Sequence, residues 1–417
     1  MSITTFSAFK NRNYRLYFSG QSLSLIGTWM QKTAVSWMVY TMTHSAFMLG
    51  VTMFATQFPI FLFSLLGGIS SDRYNRYKVL LLTQVLSMIQ AALLTILTFT
   101  NHYTVAEILI FSVILGTINA FDVPARQPMV HEMVTDKNDL PNALALNSSM
   151  NNLARLIGPA LSGIVLEKFG AGACFLLNAI SFLAVIISLL LMKLPAYIPA
   201  TVKKKVILEL AEGVIYVKNK REIGMCMLML AFMSLLVLPY NTLLPIFAKV
   251  VFKGNAATFG YINSFIGLGA VIGAIFLASL KSGADLKFVL LVNTVIFGIG
   301  LILFSHVSYF PLAMLFAVIT GFGTMSQNTI SNTIVQFNSD KKMRGRVISI
   351  LLLVVGLQPI GSLLVGAVSQ RIGAPDTLLC QGIIALIVAV AFAKFLSGER
   401  KDKKNLAVSK KTEEIAA

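Results

Sequence analysis

The chain has 417 residues, 56% hydrophobic and 12% charged, about half the charged share of an ordinary soluble domain. That composition excludes a soluble enzyme. The formal net charge of +17 would point to nucleic acid in a soluble protein, but polytopic membrane proteins gather basic residues on their cytoplasmic loops.

A membrane-crossing helix needs ~20 mostly apolar residues. Hydropathy predicts twelve such spans: 16–40, 46–70, 79–99, 104–121, 142–166, 172–192, 223–248, 256–280, 288–305, 311–336, 347–369 and 377–396. The basic start (Lys10, Arg12, Arg15) runs directly into the first span, so no cleaved signal peptide is expected. With the N-terminus placed inside, the inner segments hold 28 of the 34 Lys and Arg residues and the outer loops hold 4. Both termini are therefore expected in the cytoplasm, in a multi-pass protein of the cytoplasmic (inner) membrane, and the basic excess requires no nucleic-acid partner.

The longest connection, Lys193 to Arg221, divides the chain into 6+6 spans. The expected organisation is an N-terminal six-helix half (1–192), a cytoplasmic linker (193–222), a C-terminal six-helix half (223–396) and a tail (397–417). Within the linker Ile207, Leu210, Ala211, Val214 and Ile215 recur at helical spacing, which predicts an amphipathic helix at the cytoplasmic face. The tail is mostly polar and charged, and is expected to be disordered. Cys174, Cys226 and Cys380 fall in or beside apolar segments, which argues against a disulfide framework.

An internal repeat supports the division. A shift of 210 residues places Gly50 on Gly260 and Val79-Leu80 on Val289-Leu290; a shift of 203 places Gly158, Gly163 and Gly170 on Gly361, Gly366 and Gly373. Such repeats build many transporter folds. The same registers pair Gln31-Lys32 with Asn241-Thr242, and Arg155 with Gln358. Lys32 lies roughly 12 Å and Arg155 roughly 17 Å from the outer ends of their spans at 1.5 Å per residue. Spans six, nine and twelve carry almost only apolar residues, with isolated Asn178, Asn293 and Gln381, and are expected to face lipid. Spans one, two, five, seven, ten and eleven are expected to line the interior.

The loop after span two reads Gly68-Ile-Ser-Ser-Asp72-Arg73-Tyr-Asn-Arg76-Tyr-Lys78. It resembles the G-x-x-x-D-R-x-x-R-[KR] signature of the major facilitator superfamily, with Tyr77 where a basic residue is common. The matched loop of the second half, Leu280 to Lys287, lacks the Asp-Arg pair. Thr28-Trp29-Met30-Gln31-Lys32, Phe121-Asp122-Val-Pro124-Ala125-Arg126-Gln127, Asn152-Leu-Ala-Arg155-Leu-Ile-Gly158-Pro159-Ala160, Glu212-Gly213-x-x-Tyr216-Val217 and Arg344-Gly345-Arg346-Val347 resemble the transmembrane secretion effector branch, which contains the enterobactin exporter. Gly158-Pro159-Ala-Leu-Ser162-Gly163 is similar to the span-five element of superfamily antiporters. Ser112 stands where many drug/proton antiporters have a span-four Arg. The resemblance implies the major facilitator fold, export, and closure of the cytoplasmic side through Asp72, Arg73 and Arg76, with Gly68, Arg344 and Arg346 joining them in gating.

Ionised side chains inside a membrane mark function by default. Arg155 suits a bidentate clamp on a carboxylate or catecholate, and Lys32 suits anion binding or a part in coupling. Gln31, Asn241, Gln358, Trp29, Tyr240 and Gln327 complete the expected substrate site, and Phe58 is a further plausible wall residue. No acidic residue falls at mid-membrane, so the interior should favour anionic or neutral polar ligands over cationic drugs. Proton coupling is expected at Asp122, with Glu107 and Lys32 as alternatives. Gly158, Pro159 and Gly163 are expected to bend or closely pack span five. Phosphate loops, metal-binding motifs and nucleophile elbows are absent from the sequence, so neither cofactor nor metal is expected and any pumping must be secondary. These features together predict a monomeric exporter of a small polar or anionic, siderophore-like metabolite working by alternating access with proton antiport. Efflux of macrolide- or tetracycline-like antibiotics is the alternative, and a membrane sensor or membrane-embedded enzyme is the alternative of another class.

Overall fold

The computed structural model describes residues 6–134, 136–193, 206–281, 283–340 and 343–416. Among them no strand occurs. The helices are α1 (Arg12–Thr43), α2 (Ala46–Arg73), α3 (Arg76–Phe99), α4 (Val105–Met133), α5 (Leu140–Leu190), α6 (Val206–Asn219), α7 (Arg221–Val251), α8 (Ala256–Ala278), α9 (Leu286–Ser305), α10 (Phe310–Asn338), α11 (Arg344–Ile372) and α12 (Ala374–Ala416). Ten are long and apolar enough to cross a bilayer; α1 is long enough, at 32 residues, but more polar. The 51-residue α5 breaks at Gly170, whose φ of 78° suits glycine. Its two arms run back along each other, since Ser162 Oγ lies 3.8 Å from Cys174 Sγ. Gly373, 203 positions later, also has a positive φ, 88°, between α11 and α12.

Local chemistry sets the ends of these helices. Ser45 and Asn75 accept backbone N–H groups of α2 and α3, and Thr104–Glu107 and Asn255–Thr258 form reciprocal capping boxes on α4 and α8. In α7 the ladder is irregular: π-type turns at Met233–Val237 and Phe247–Val251 flank a tighter 3-10 stretch, Leu238–Leu243. Pro239 and Pro245 remove two N–H donors there. The linker contains α6, and the face it turns inward is Gly213, Tyr216 and Val217, which pack on the α7 and α11 cluster. Val214 and Ile215 are exposed, and the side chains of Ile207 and Leu210 lie outside the described residues. The tail, where disorder was expected, continues α12 to Ala416. An existing helix needs no new nucleus, and this stretch is rich in the good helix formers Lys, Glu and Ala.

The tertiary contacts repeat in the registers read from sequence. A Cβ on Gly260 would meet the Pro159 carbonyl at 2.6 Å, and one on Gly50 would meet the Ser362 carbonyl at 2.5 Å. Gly163 approaches the Ala256 carbonyl as Gly366 approaches that of Ala46, and Gly116 approaches Thr56 as Gly321 approaches Ile266. Helix α5 thus packs on α8 as α11 packs on α2.

These two seams run from the end opposite the termini to mid-depth, where Gly267 meets Arg155 O and Phe61 meets Gly356. Trp37 of α1 stacks on Phe259 of α8 at 5.9 Å, with Lys249 Nζ 5.9 Å from its ring, and Ser45 donates to Gln370 at 3.0 Å. Toward the end that carries the termini Leu65 and Leu66 of α2 and Leu352 and Leu353 of α11 are exposed. Ion pairs there join neighbours within one set: Arg76–Glu132 among the N-terminal helices, and Lys287 with Glu222 and Glu399 among the C-terminal ones.

Candidate functional site

The interior site is built where α1 meets α5. Trp29 and Lys32 share one face of α1 at i, i+3, and Arg155 and Gly158 share one face of α5 in the same way. Gly158 allows the approach: a Cβ there would stand 2.5 Å from Trp29 Cβ. The indole thereby neighbours both cations, with Lys32 Nζ 5.0 Å and Arg155 Cζ 5.4 Å from its centroid. Lys32 is exposed although it lies well inside α1, and Trp29 and Arg155 are half-buried. A surface that reaches this depth is the wall of a cleft.

From the C-terminal helices, Tyr240 is within electrostatic reach of Arg155. Its hydroxyl lies 3.2 Å from Thr324 Oγ1 and its ring packs edge-on against Phe297. Tyr240 and the half-buried Asn241 sit on the tight stretch of α7, and the half-buried Gln358 follows a break in α11 at Gly356-Leu357. Irregular backbone of this kind is a recurrent feature of membrane binding sites. Phe54, Phe58 and Phe61 form an aromatic ladder along α2.

Two residues expected at the substrate site are elsewhere. Gln31 is buried away from the cleft, donating to Gln90 at 3.0 Å and accepting from Asn178 at 2.6 Å. It lies one residue from Lys32, about 100° round the helix. Gln327 is also buried, donating to Thr294 at 2.6 Å. Asn178, Asn293 and Gln381 point into the protein rather than to lipid; Asn178 and Gln381 find partners on neighbouring helices that hydrocarbon would not supply, and Asn293 donates to the Val289 carbonyl of its own helix. Gly158, Pro159 and Gly163 do not break α5, whose one non-helical residue is Gly170; they make room for α1 and α8.

The proton-coupling candidates separate. Glu107 closes the α4 capping box, accepting from Thr104 N at 2.6 Å and Thr104 Oγ1 at 2.9 Å, so its carboxylate is committed to a helix end. Asp122 is buried in a polar cluster: Thr83 and Gln84 donate to Oδ1 at 2.9 and 2.7 Å, and Arg126 Nε lies 3.2 Å from Oδ2. The motif around Asp122 contains Arg126 but does not pair the two, and Thr83 and Gln84 carry no sequence signal individually. The repeat could have found them, since Gln84 falls on Thr294, the partner of Gln327.

Of the gating residues, Asp72 is 3.6 Å from Arg76, and Arg76 reaches Glu132 at 2.9 Å and the Ser71 carbonyl at 3.2 Å. Arg73 is exposed, and a Cβ on Gly68 would meet nothing within 4 Å. Arg346 pairs with Glu212 of α6, while Arg344 Nε is buried without a hydrogen-bond partner among the described residues. The Arg346–Glu212 pair ties the linker helix to α11, a partner no local sequence signal named.

A profile of transmembrane secretion effectors matches residues 3–416. The chain belongs to that family. It is a transporter of the major facilitator type and not an enzyme. The chain is similar to the staphyloferrin A transporter of Staphylococcus aureus, 28% identical over 91% of this chain and 95% of that one. It is also similar to macrolide efflux protein A of Streptococcus pyogenes, 21% identical over 91% and 96%. Among solved structures, a POT family transporter in complex with 5-aminolevulinic acid superposes with a TM-score of 0.74 at 15% identity, over 92% of this chain and 96% of that one.

Proposed function

We propose that the protein is a secondary active exporter of a small polar or anionic, siderophore-like metabolite, carried out of the cell across the cytoplasmic membrane in exchange for protons. The observation that carries this reading is the pair of cations on Trp29 in a mid-depth cleft, with no carboxylate paired to either among the described residues. Such a site attracts anions and repels cationic drugs. Its kinship with the staphyloferrin A transporter agrees with that charge. The kinship with a macrolide efflux protein supports antibiotic efflux as the second reading.

In this reading α1, the two arms of α5 and the other long helices make twelve spans, in two six-helix halves (1–192 and 223–396) joined by the linker 193–222. Both termini are cytoplasmic, and the transporter works as a monomer. A cleft sealed at the outer end and parted at the inner end is the inward-open state. Alternating access then requires the inner ends of α2 and α11 to close through Asp72, Arg73, Arg76, Gly68, Arg344 and Arg346 as the outer seams part. Asp122 carries the coupled proton.

Metabolite profiling of medium from cells with and without the gene, in iron-limited and rich conditions, tests the substrate class. A missing anionic chelator supports the reading; unchanged medium with altered macrolide susceptibility favours the second. Proteoliposome flux that persists after collapse of the proton gradient would remove proton antiport.

A further inference from the structure

Trp29 is the common neighbour of both interior cations, at 5.0 Å from Lys32 Nζ and 5.4 Å from Arg155 Cζ, inside the ~6 Å range in which a ring face attracts a cation. Its place is fixed by Gly158, which leaves no room for a side chain beside it. The two charges are separated by no more than the sum of those two distances, so they repel each other while each rests on the indole. The ring is therefore the group a ligand must displace.

We propose that Trp29 makes this cleft a selector for ligands bearing two or more anionic groups, such as di- and tricarboxylates, against monoanions. The proposal rests on the reading of the cleft as an anion-transport site. A monoanion can draw off one cation, exchanging a cation–π contact for a single ion pair in a wet cleft, and the net gain is small. It leaves the second cation on the ring. A dianion spanning both lifts both charges from the indole and screens their repulsion in one event. Its second contact is intramolecular, at the high effective concentration a short linker gives. Arg155 presents a planar fork and Lys32 a point charge, so the ligand offers one flat carboxylate toward α5 and a second anionic group toward α1.

Trp29 and Trp37 are the two tryptophans of the chain, so Trp37→Phe leaves a single reporter in the site. The full-length variant in nanodiscs, titrated with acetate, succinate and citrate at constant ionic strength, should show Trp29 emission changes. Succinate and citrate should bind at least about tenfold more tightly than acetate. Calorimetry on Trp29→Leu should show that ratio falling to about threefold or less, with Trp29→Phe intermediate because its ring face is weaker. A purely structural Trp29 would weaken all three anions alike and leave the ratio unchanged. If Trp29→Leu does not fold, Trp29→Phe carries the same comparison. Equal affinities for acetate and succinate, or an unchanged ratio in the variants, overturns the proposal and leaves anion export standing. No binding of any of the three, with proteoliposomes still exporting a neutral or cationic compound, overturns both.

Discussion

Asp122→Asn removes the charge that faces Arg126 while keeping an oxygen for Thr83 and Gln84. At 3.2 Å and an effective dielectric of 20 the gross attraction between carboxylate and guanidinium is about 5 kcal/mol, which desolvation offsets in part. Removing one partner of a buried pair costs ~3–5 kcal/mol, because the other charge is stranded. The Asp122 side chain is 6% exposed and that of Arg126 19%, so Arg126 keeps some water and the loss should fall at the low end, about 3 kcal/mol. Denaturant unfolding in detergent should show that loss, and Asp122→Asn/Arg126→Gln, which removes the stranded cation, should recover at least about half of it. If Asp122 also carries the coupled proton, Asp122→Asn abolishes accumulation driven by a pH gradient but retains substrate exchange at equal pH. A variant as stable as the parent, with no recovery in the double variant, refutes the electrostatic reasoning. Intact gradient-driven accumulation refutes the coupling role.

Gly68→Leu should leave stability unchanged or raise it by up to about 1 kcal/mol, since glycine is a poor helix residue and the site is open. Transport should nevertheless fall if this face closes during the cycle; normal flux would count against closure there. Gly260→Val places atoms against the Pro159 carbonyl and should part the α5–α8 seam, read as a longer distance between spin labels at His102 and His306; an unchanged distance would contradict the seam's role. Gln31→Leu should cost about 1–3 kcal/mol by stranding Gln90 and Asn178 while substrate affinity stays within about threefold. A selective loss of affinity would return Gln31 to the site. Glu212→Gln should cost less than about 1 kcal/mol, as the pair is partly exposed, yet speed protease cleavage near α6; unchanged cleavage would mean that Gly213 and Tyr216 alone dock the helix.

Much of the site was legible because charge inside an apolar segment has few innocent explanations. Lys32 and Arg155 were identified as the basic residues that topology leaves over, and the structure brings them to one indole. The glycine registers were also readable, since positions that admit another backbone tolerate no side chain; Gly50, Gly163, Gly260 and Gly366 all lie at such contacts. The identity of each polar residue's partner was not readable. Gln31 and Gln327 are amides in spans like Asn241 and Gln358, and hydropathy is the same whether an amide faces a cleft or another amide. Glu107 is different: Thr104-Val-Ala-Glu107 has the spacing of a capping box, so its commitment to the helix end is legible locally once that pattern is sought.

The sequence by itself determined that the chain is a multi-pass membrane protein, which glycines recur at a fixed shift, and that two basic residues, Lys32 and Arg155, fall within apolar segments. Those facts follow from per-residue transfer energies and from spacing along the chain. The tertiary structure alone decided which face of each helix turns inward, how Gly158 brings Trp29 to both cations, and which residues hold the Asp122 carboxylate. Helix rotation and the meeting of distant helices are set by packing, and a one-dimensional pattern does not contain them.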